Sequence, residues 1–156
     1  MVDYYGLPQH GEGAWPGRAQ ASGLDFSRKA RCVQDALLKD MINEMGRHPG
    51  PQRFVPFVVM HEFEGLLFSD SAAFSHAIGR PDLESEFQAI RDAFPSPEEI
   101  NDSPDTAPCK RVEGLVPGYE KPFLGTLAVL EIGLPRIRKE CPHFDAWLKR
   151  LEAAAK

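Results

Sequence analysis

The stretch Arg53-Phe54-Val55-Pro56-Phe57-Val58-Val59-Met60 decides how the rest of the sequence is read. Aromatic and β-branched residues follow a Pro/Gly turn here, with no polar alternation. A short apolar run of that kind reads as a strand buried on both faces, the habit of parallel sheets in α/β proteins. Pro56 cannot donate to a ladder, so this strand is expected to be bulged or to lie at an edge.

Upstream, Ser27 is a plausible N-cap for a helix running to about Met45, closed by Gly46 and Pro49. Ala30, Val33, Leu37, Met41 and Met45 recur at helical spacing with charged residues between them, so one face should be buried. Before that helix lies a long loop rich in glycine, with Gly11, Gly13, Trp15-Pro16-Gly17 and Gly23. The opening Met1-Val2-Asp3-Tyr4-Tyr5-Gly6-Leu7-Pro8 reads as the end of a second buried strand, with an acid at its carboxyl end and a turn behind it. Strand, helix and strand together form a unit expected to be parallel and right-handed.

Downstream the pattern turns helical. Helices are expected over His61 to Phe68, from an Asp70 cap to Gly79, from Pro81 to Phe94, and from near Thr106. Leu124 to Ile132, Pro135 to Glu140 and Pro142 to Ala154 follow. Ser96-Pro97-Glu98-Glu99 combines a capping box with proline at the first helical position. The expected class is therefore α/β, a parallel sheet with a helix-rich C-terminal half, in a single domain over residues 1–156. Two strands alone do not make a stable sheet. Either another chain completes it, or strands of the fold precede Met1.

Composition narrows the functional classes. The 156 residues are 42% hydrophobic and 26% charged, ordinary for a soluble globular chain. A formal net charge of −5 argues against sequence-blind coating of nucleic acid, which needs a broad basic face. It leaves room for an acidic metal site beside a small basic strip. No apolar run approaches the roughly 20 residues that span a bilayer, and no leader peptide is visible, so a cytoplasmic protein without membrane partners is expected. Cys32, Cys109 and Cys141 are too few and too irregularly spaced for a disulfide framework or a zinc knuckle.

Three groups of residues could carry chemistry. Asp3 stands at the carboxyl end of the opening strand, where ligand sites of open α/β sheets form. His61-Glu62-Phe63-Glu64 follows the other strand. If the strands are parallel neighbours, Asp3, Glu62 and Glu64 share a rim, and such carboxylates suit Mg²⁺ or Mn²⁺. The same glutamates serve equally as first-turn acids of a helix, with His61 as a cap residue. His-Glu-Phe-Glu is not the His-Glu-x-x-His zinc motif, because position 65 is glycine. The third group runs from Ile100 to Arg111, where Lys110 and Arg111 could meet a phosphate or form a solvated pair on a connector. Arg136, Arg138 and Lys139 read as solvated surface. Cys109 at a helix start has no histidine nearby in sequence, which speaks against a nucleophile.

Several blocks in fixed order add a resemblance. They are Asp3-Tyr4-Tyr5-Gly6-Leu7-Pro8, Trp15-Pro16-Gly17, His61 to Ser69, Ser96 to Pro104, Thr106-Ala107-Pro108-Cys109-Lys110-Arg111, Ile132-Gly133-Leu134 and Cys141-Pro142-His143-Phe144. The succession resembles the bacterial family catalogued as domain of unknown function 4276, over nearly the whole chain. That resemblance implies a TOPRIM-like fold, related to the nuclease half of OLD-type proteins, and Mg²⁺- or Mn²⁺-dependent cleavage of phosphodiester bonds. It implies DNA as substrate and an ABC-type ATPase as partner, in defence against foreign DNA. Asp3 matches the first aspartate of the TOPRIM Asp-x-Asp pair, whereas Tyr5 stands in place of the second. The family's preceding strand, with a glutamate in a Glu-Gly turn, is absent from this sequence, so the fold is expected to be N-terminally truncated. The resemblance gives Asp3 a metal-binding role; from their places in the chain, Glu62 and Glu64 are expected to bind metal with it, His61 to serve catalysis by orienting a carboxylate or water, and Lys110 and Arg111 to bind phosphate. The departures favour the alternative of a non-catalytic partner or regulatory module of an ATPase, or an inactive fragment.

Overall fold

Helix ends follow local chemistry closely in the computed structural model, which describes residues 1–46, 54–100 and 106–155. The elements run β1 (Val2–Asp3), α1 (Phe26–Met45), β2 (Val58–Val59), α2 (Phe63–Leu67), α3 (Ser71–Ala77), α4 (Glu84–Asp92), α5 (Pro108–Leu115), α6 (Lys121–Ile132), α7 (Leu134–Glu140) and α8 (Pro142–Ala154). They gather into two compact units, Met1–Met60 with His143–Lys156, and His61–Pro142.

The first unit holds the sheet. β1 and β2 pair in parallel, Val2 opposite Val58 and Asp3 opposite Val59. The Val2 N–H donates to the Phe57 carbonyl at 3.0 Å and the Tyr4 N–H to that of Val59 at 2.8 Å. The α/β character and the parallel direction thus hold, in a sheet of two strands. The expected eight-residue strand shrinks to Val58–Val59, beyond Pro56. Proline has no N–H to give a ladder, so pairing develops only past it.

Asp25, not Ser27, caps α1; its carboxylate accepts the Arg28 N–H at 2.9 Å. The Ser27 hydroxyl donates to that same carboxylate, so the acid takes the stronger, charged role at the positive end of the helix. Gly46 ends α1 with φ +68°, as its position predicted, and Pro49 lies outside the described residues. Ala30 and Val33 are buried on α1, while Met45 is exposed, so the apolar stripe loses its cover toward the C-terminus.

The glycine-rich loop is a chain of turns laid over α1. Gly17 has φ +76°, and a Cβ there would lie 2.7 Å from Ala36 Cβ and 2.8 Å from the Cys32 carbonyl. Only glycine permits that approach. Arg18 is buried with its guanidinium 3.9 Å from the Tyr4 ring centroid, bonded to the Tyr4 carbonyl at 3.1 Å and hydroxyl at 2.9 Å. Carbonyl, hydroxyl and ring face replace the water that burial strips from this side chain. From α8, Trp147 stacks on Phe57 at 4.7 Å and donates its indole N–H to the Val55 carbonyl at 3.0 Å.

The regular elements of the second unit are all helices among its described residues. Asp70 caps α3 as expected, accepting the Ala73 N–H at 3.0 Å. Phe68, Phe74 and Phe87 form its aromatic centre; Phe74 and Phe87 stack at 4.7 Å and Phe68 meets Phe74 edge-on at 5.5 Å. The Pro81 to Phe94 segment opens with a single 3₁₀ turn before α4. The capping box after Ser96 starts only a 3₁₀ turn, Pro97–Glu99. There the Ser96 hydroxyl donates to the Glu99 carboxylate at 3.2 Å and caps no backbone N–H, so no helix propagates. α6 begins at Lys121, three residues before its first expected position, with a proline in its first turn.

Candidate functional site

α2 and the starts of α5 and α6 bring together charges that are far apart in sequence. Glu62 occupies the N-cap position of α2 in an extended conformation, yet its side chain caps nothing there. Instead one carboxylate oxygen accepts the Cys109 N–H at 2.8 Å. Cys109 is the second residue of α5, whose own N-cap is Ala107 and has no side chain to offer. A first-turn N–H lacks an acceptor inside its helix, so Glu62 supplies one across the fold.

The other oxygen of Glu62 lies 3.5 Å from Lys121 Nζ, and a Glu64 oxygen lies 3.3 Å from that same nitrogen. The two carboxylates therefore converge on one ammonium. Glu64 is enclosed, its side chain only 4% exposed. Burial pushes its carboxyl above the usual range, against the pull of a backbone hydrogen bond and of Lys121. Burial of Lys121 works to lower its pKa, but Glu64 and Glu62 more than offset this and hold the ammonium above its ordinary value.

Two further groups close the site. The Tyr119 hydroxyl is buried without a hydrogen-bond partner among the described residues, and burial together with neighbouring Glu64 and Cys109 pushes its pKa up. A Cβ on Gly125 would sit 3.2 Å from that hydroxyl and 3.5 Å from the Phe63 ring, so glycine lets α6 approach both. The Cys109 thiol donates to Glu113 at 3.2 Å, and burial with that bond pushes it up to about 11. A thiol in that state is no nucleophile near neutral pH.

The remaining expected residues have local duties. Lys110 pairs with Glu113 at 2.7 Å on the exposed side of α5. Arg111 donates through Nε to the Thr106 carbonyl at 2.8 Å and lies 5.1 Å from the Phe94 ring centroid. His61 is buried. Asp3 lies in the first unit at the carboxyl end of β1, where its side chain accepts the Tyr5 N–H at 2.9 Å. That is the short-range turn bond aspartate makes after a strand. The part of the third group between Asn101 and Asp105 lies outside the described residues. Among the described residues no three His, Cys, Asp or Glu side chains gather closely enough to hold a metal ion.

Sequence reasoning missed Lys121, Tyr119 and the Cys109 N–H. One signal was present: Lys121 stands in the first turn of α6, where the helix dipole disfavours a cation. An unfavourable charge at a helix start implies a partner elsewhere, and Glu62 and Glu64 are that partner.

A family model described as a domain of unknown function (DUF4276) matches residues 1–152. The chain belongs to the DUF4276 family. Comparison with curated proteins and with solved structures finds no significant match. In this DUF4276 chain Glu62 and Glu64 are two carboxylates that converge on one positive nitrogen. Mg²⁺ commonly takes one or two protein carboxylates and fills its octahedron with water and phosphate oxygens. No helix among the described residues is long and apolar enough to cross a membrane.

Proposed function

We propose that this DUF4276 chain is a TOPRIM-like domain for Mg²⁺- or Mn²⁺-dependent cleavage of phosphodiester bonds in DNA, working beside an ABC-type ATPase in defence against foreign DNA. The observation that carries the reading is the convergence of Glu62 and Glu64 on a single cation. Asp3 supports it from the carboxyl end of a parallel strand, the position at which such sheets carry ligands. Glu62 and Glu64 would hold the metal, which would supply a more acidic bound water and neutralise charge on a phosphoryl oxygen. Glu62 keeps its Cys109 bond through one oxygen and offers the other. Lys121 then serves as the resident counter-ion of the metal-free pair. Lys110, at an exposed face of α5, and the terminal nitrogens of Arg111 are the phosphate contacts, and His61 orients a carboxylate or water.

A second reading, a non-catalytic partner module that regulates an ATPase, is favoured by the same contacts read differently. Glu62 is committed as a cap of α5, and Lys121 already compensates one charge of the pair. Cleavage of supercoiled and linear DNA with and without Mn²⁺, for the native chain and for Glu62→Gln, Glu64→Gln and Asp3→Ala, separates the two. The catalytic reading expects metal-dependent cleavage lost in both glutamine variants. Cleavage unchanged by those substitutions sinks the site. No cleavage and no Mn²⁺ binding by calorimetry, with co-purification of an ATPase, establishes the module.

A further inference from the structure

α6 is apolar on more than the side it buries. It packs against α2 and α3 with Gly125, Ala128 and Ile132 buried, yet no charged residue stands anywhere between Lys121 and Glu131. A helix apolar around its circumference is one that is covered on both sides. On the uncovered side Phe123 is 61% exposed and Leu130 73%, with Leu127 exposed between them. Leu134, exposed as well, opens α7 just beyond Gly133. Four of the nine large hydrophobic side chains exposed among the described residues thus fall within residues 123–134. That is a concentration, not the usual scatter of single exposed residues. Together the four leave on the order of 400 Å² of apolar surface in water.

Size and spacing both point to a second copy of the chain. A standard interface takes about 800 Å² from each partner, a little over half of it apolar. The patch therefore supplies nearly all the apolar core that one side of such a dimer needs. Phe123, Leu127 and Leu130 are four and three residues apart, the seam spacing of a helix pair, and Leu134 follows four further on. The order four, three, four reads the same in reverse. A twofold axis between Leu127 and Leu130 lays such a stripe antiparallel on itself, as an isologous contact demands. Charge selects the same arrangement. Antiparallel pairing brings Glu131 level with the partner's Thr126, whereas parallel pairing sets each Glu131 beside the other, a like-charge contact. Exposed Glu120 and Glu131 at its ends, with no lysine or arginine along the stripe, suit an anionic lipid surface poorly. We propose that α6 forms the seam of a twofold dimer of this chain, with Leu127 against the partner's Leu130 and Phe123 against the corner at the partner's Leu134.

Sedimentation velocity over a concentration series tests this on the full chain. The native chain is expected to dimerise with a dissociation constant of about 10 µM or tighter. Leu130→Glu places two charges in the seam, one from each copy, and is expected to weaken dimerisation about a hundredfold or more. Met45→Glu, exposed on α1, is expected to leave dimerisation unchanged. Because Leu130 is so exposed within one chain, Leu130→Glu should keep the near-UV dichroism of the fold. Oxidative cross-linking reads the direction of pairing. Leu127→Cys and Leu130→Cys chains, when mixed, are expected to join to each other faster than either joins to itself, with mass spectrometry identifying the linked thiols. A native chain that is monomeric at about 100 µM, even one that binds an unrelated amphipathic helix, overturns the proposal. So does a dimer that Leu130→Glu leaves intact, or one in which like thiols join faster than unlike.

Discussion

Lys121→Met removes the ammonium on which Glu62 and Glu64 converge and keeps most of the aliphatic volume. At 3.3 Å and an effective dielectric of 20, the Lys121–Glu64 attraction is about 5 kcal/mol before desolvation. Lys121 is 43% exposed, so water screens much of this. The net loss falls between that of a surface pair and that of a broken buried pair, about 1–3 kcal/mol at neutral pH. The pH dependence is the sharper signature. The Glu64 carboxyl titrates above its ordinary range in the fold, chiefly through burial, and Lys121 opposes the rise. A carboxyl whose folded pKa is raised costs stability fully above that pKa and nothing below its unfolded value. Without Lys121 the rise grows, so the variant's deficit should be full near pH 8 and shrink as the pH falls through the folded pKa toward the ordinary glutamate range. Urea unfolding followed by far-UV dichroism at pH 8 and pH 4.5 reads both, and Glu64→Gln in the Lys121→Met background should recover most of the loss. A deficit equal at the two pH values, and untouched by Glu64→Gln, would refute the buried-carboxylate account.

Gly125→Ala pushes a Cβ against a buried hydroxyl at 3.2 Å, which should destabilise by about 1–2 kcal/mol despite the helix propensity gained. Tyr119→Phe alone should be neutral or slightly stabilising, and should rescue Gly125→Ala in denaturant titrations. Gly17→Ala adds a positive φ to contacts of 2.7 and 2.8 Å, so a loss of about 2–4 kcal/mol is expected in the same assay. Iodoacetamide at pH 8 with mass-spectrometric readout should label the half-buried Cys32 first. Cys109 and Cys141, pushed up to about 11 and about 12 chiefly by burial, should react only on unfolding.

Much of the chain was legible because its signals are local. Gly46, Asp70 and Pro142 mark helix ends or starts where the sequence placed them, since each acts through its own backbone or a neighbour within one turn. The apolar run before Met60 announced a parallel strand, although Pro56 confined the pairing to two residues. Local signals also misled where two candidates competed. Asp25 displaced Ser27 as a cap, and the capping box at Ser96 closed on its own side chains and gave a 3₁₀ turn.

For the candidate site, the sequence by itself determined the acids. Glu62 and Glu64 follow a buried strand and flank a helix start, which any reader of residues 58–64 can see. What those acids face was decided only by the tertiary structure. The Cys109 N–H comes from 47 residues away and the Lys121 ammonium from 59, and no periodicity encodes contacts at that separation. The physical reason is desolvation. A carboxylate enclosed as tightly as Glu64 needs a compensating cation, but which lysine provides it depends on how α2, α5 and α6 pack, and that packing is settled by the apolar faces around them.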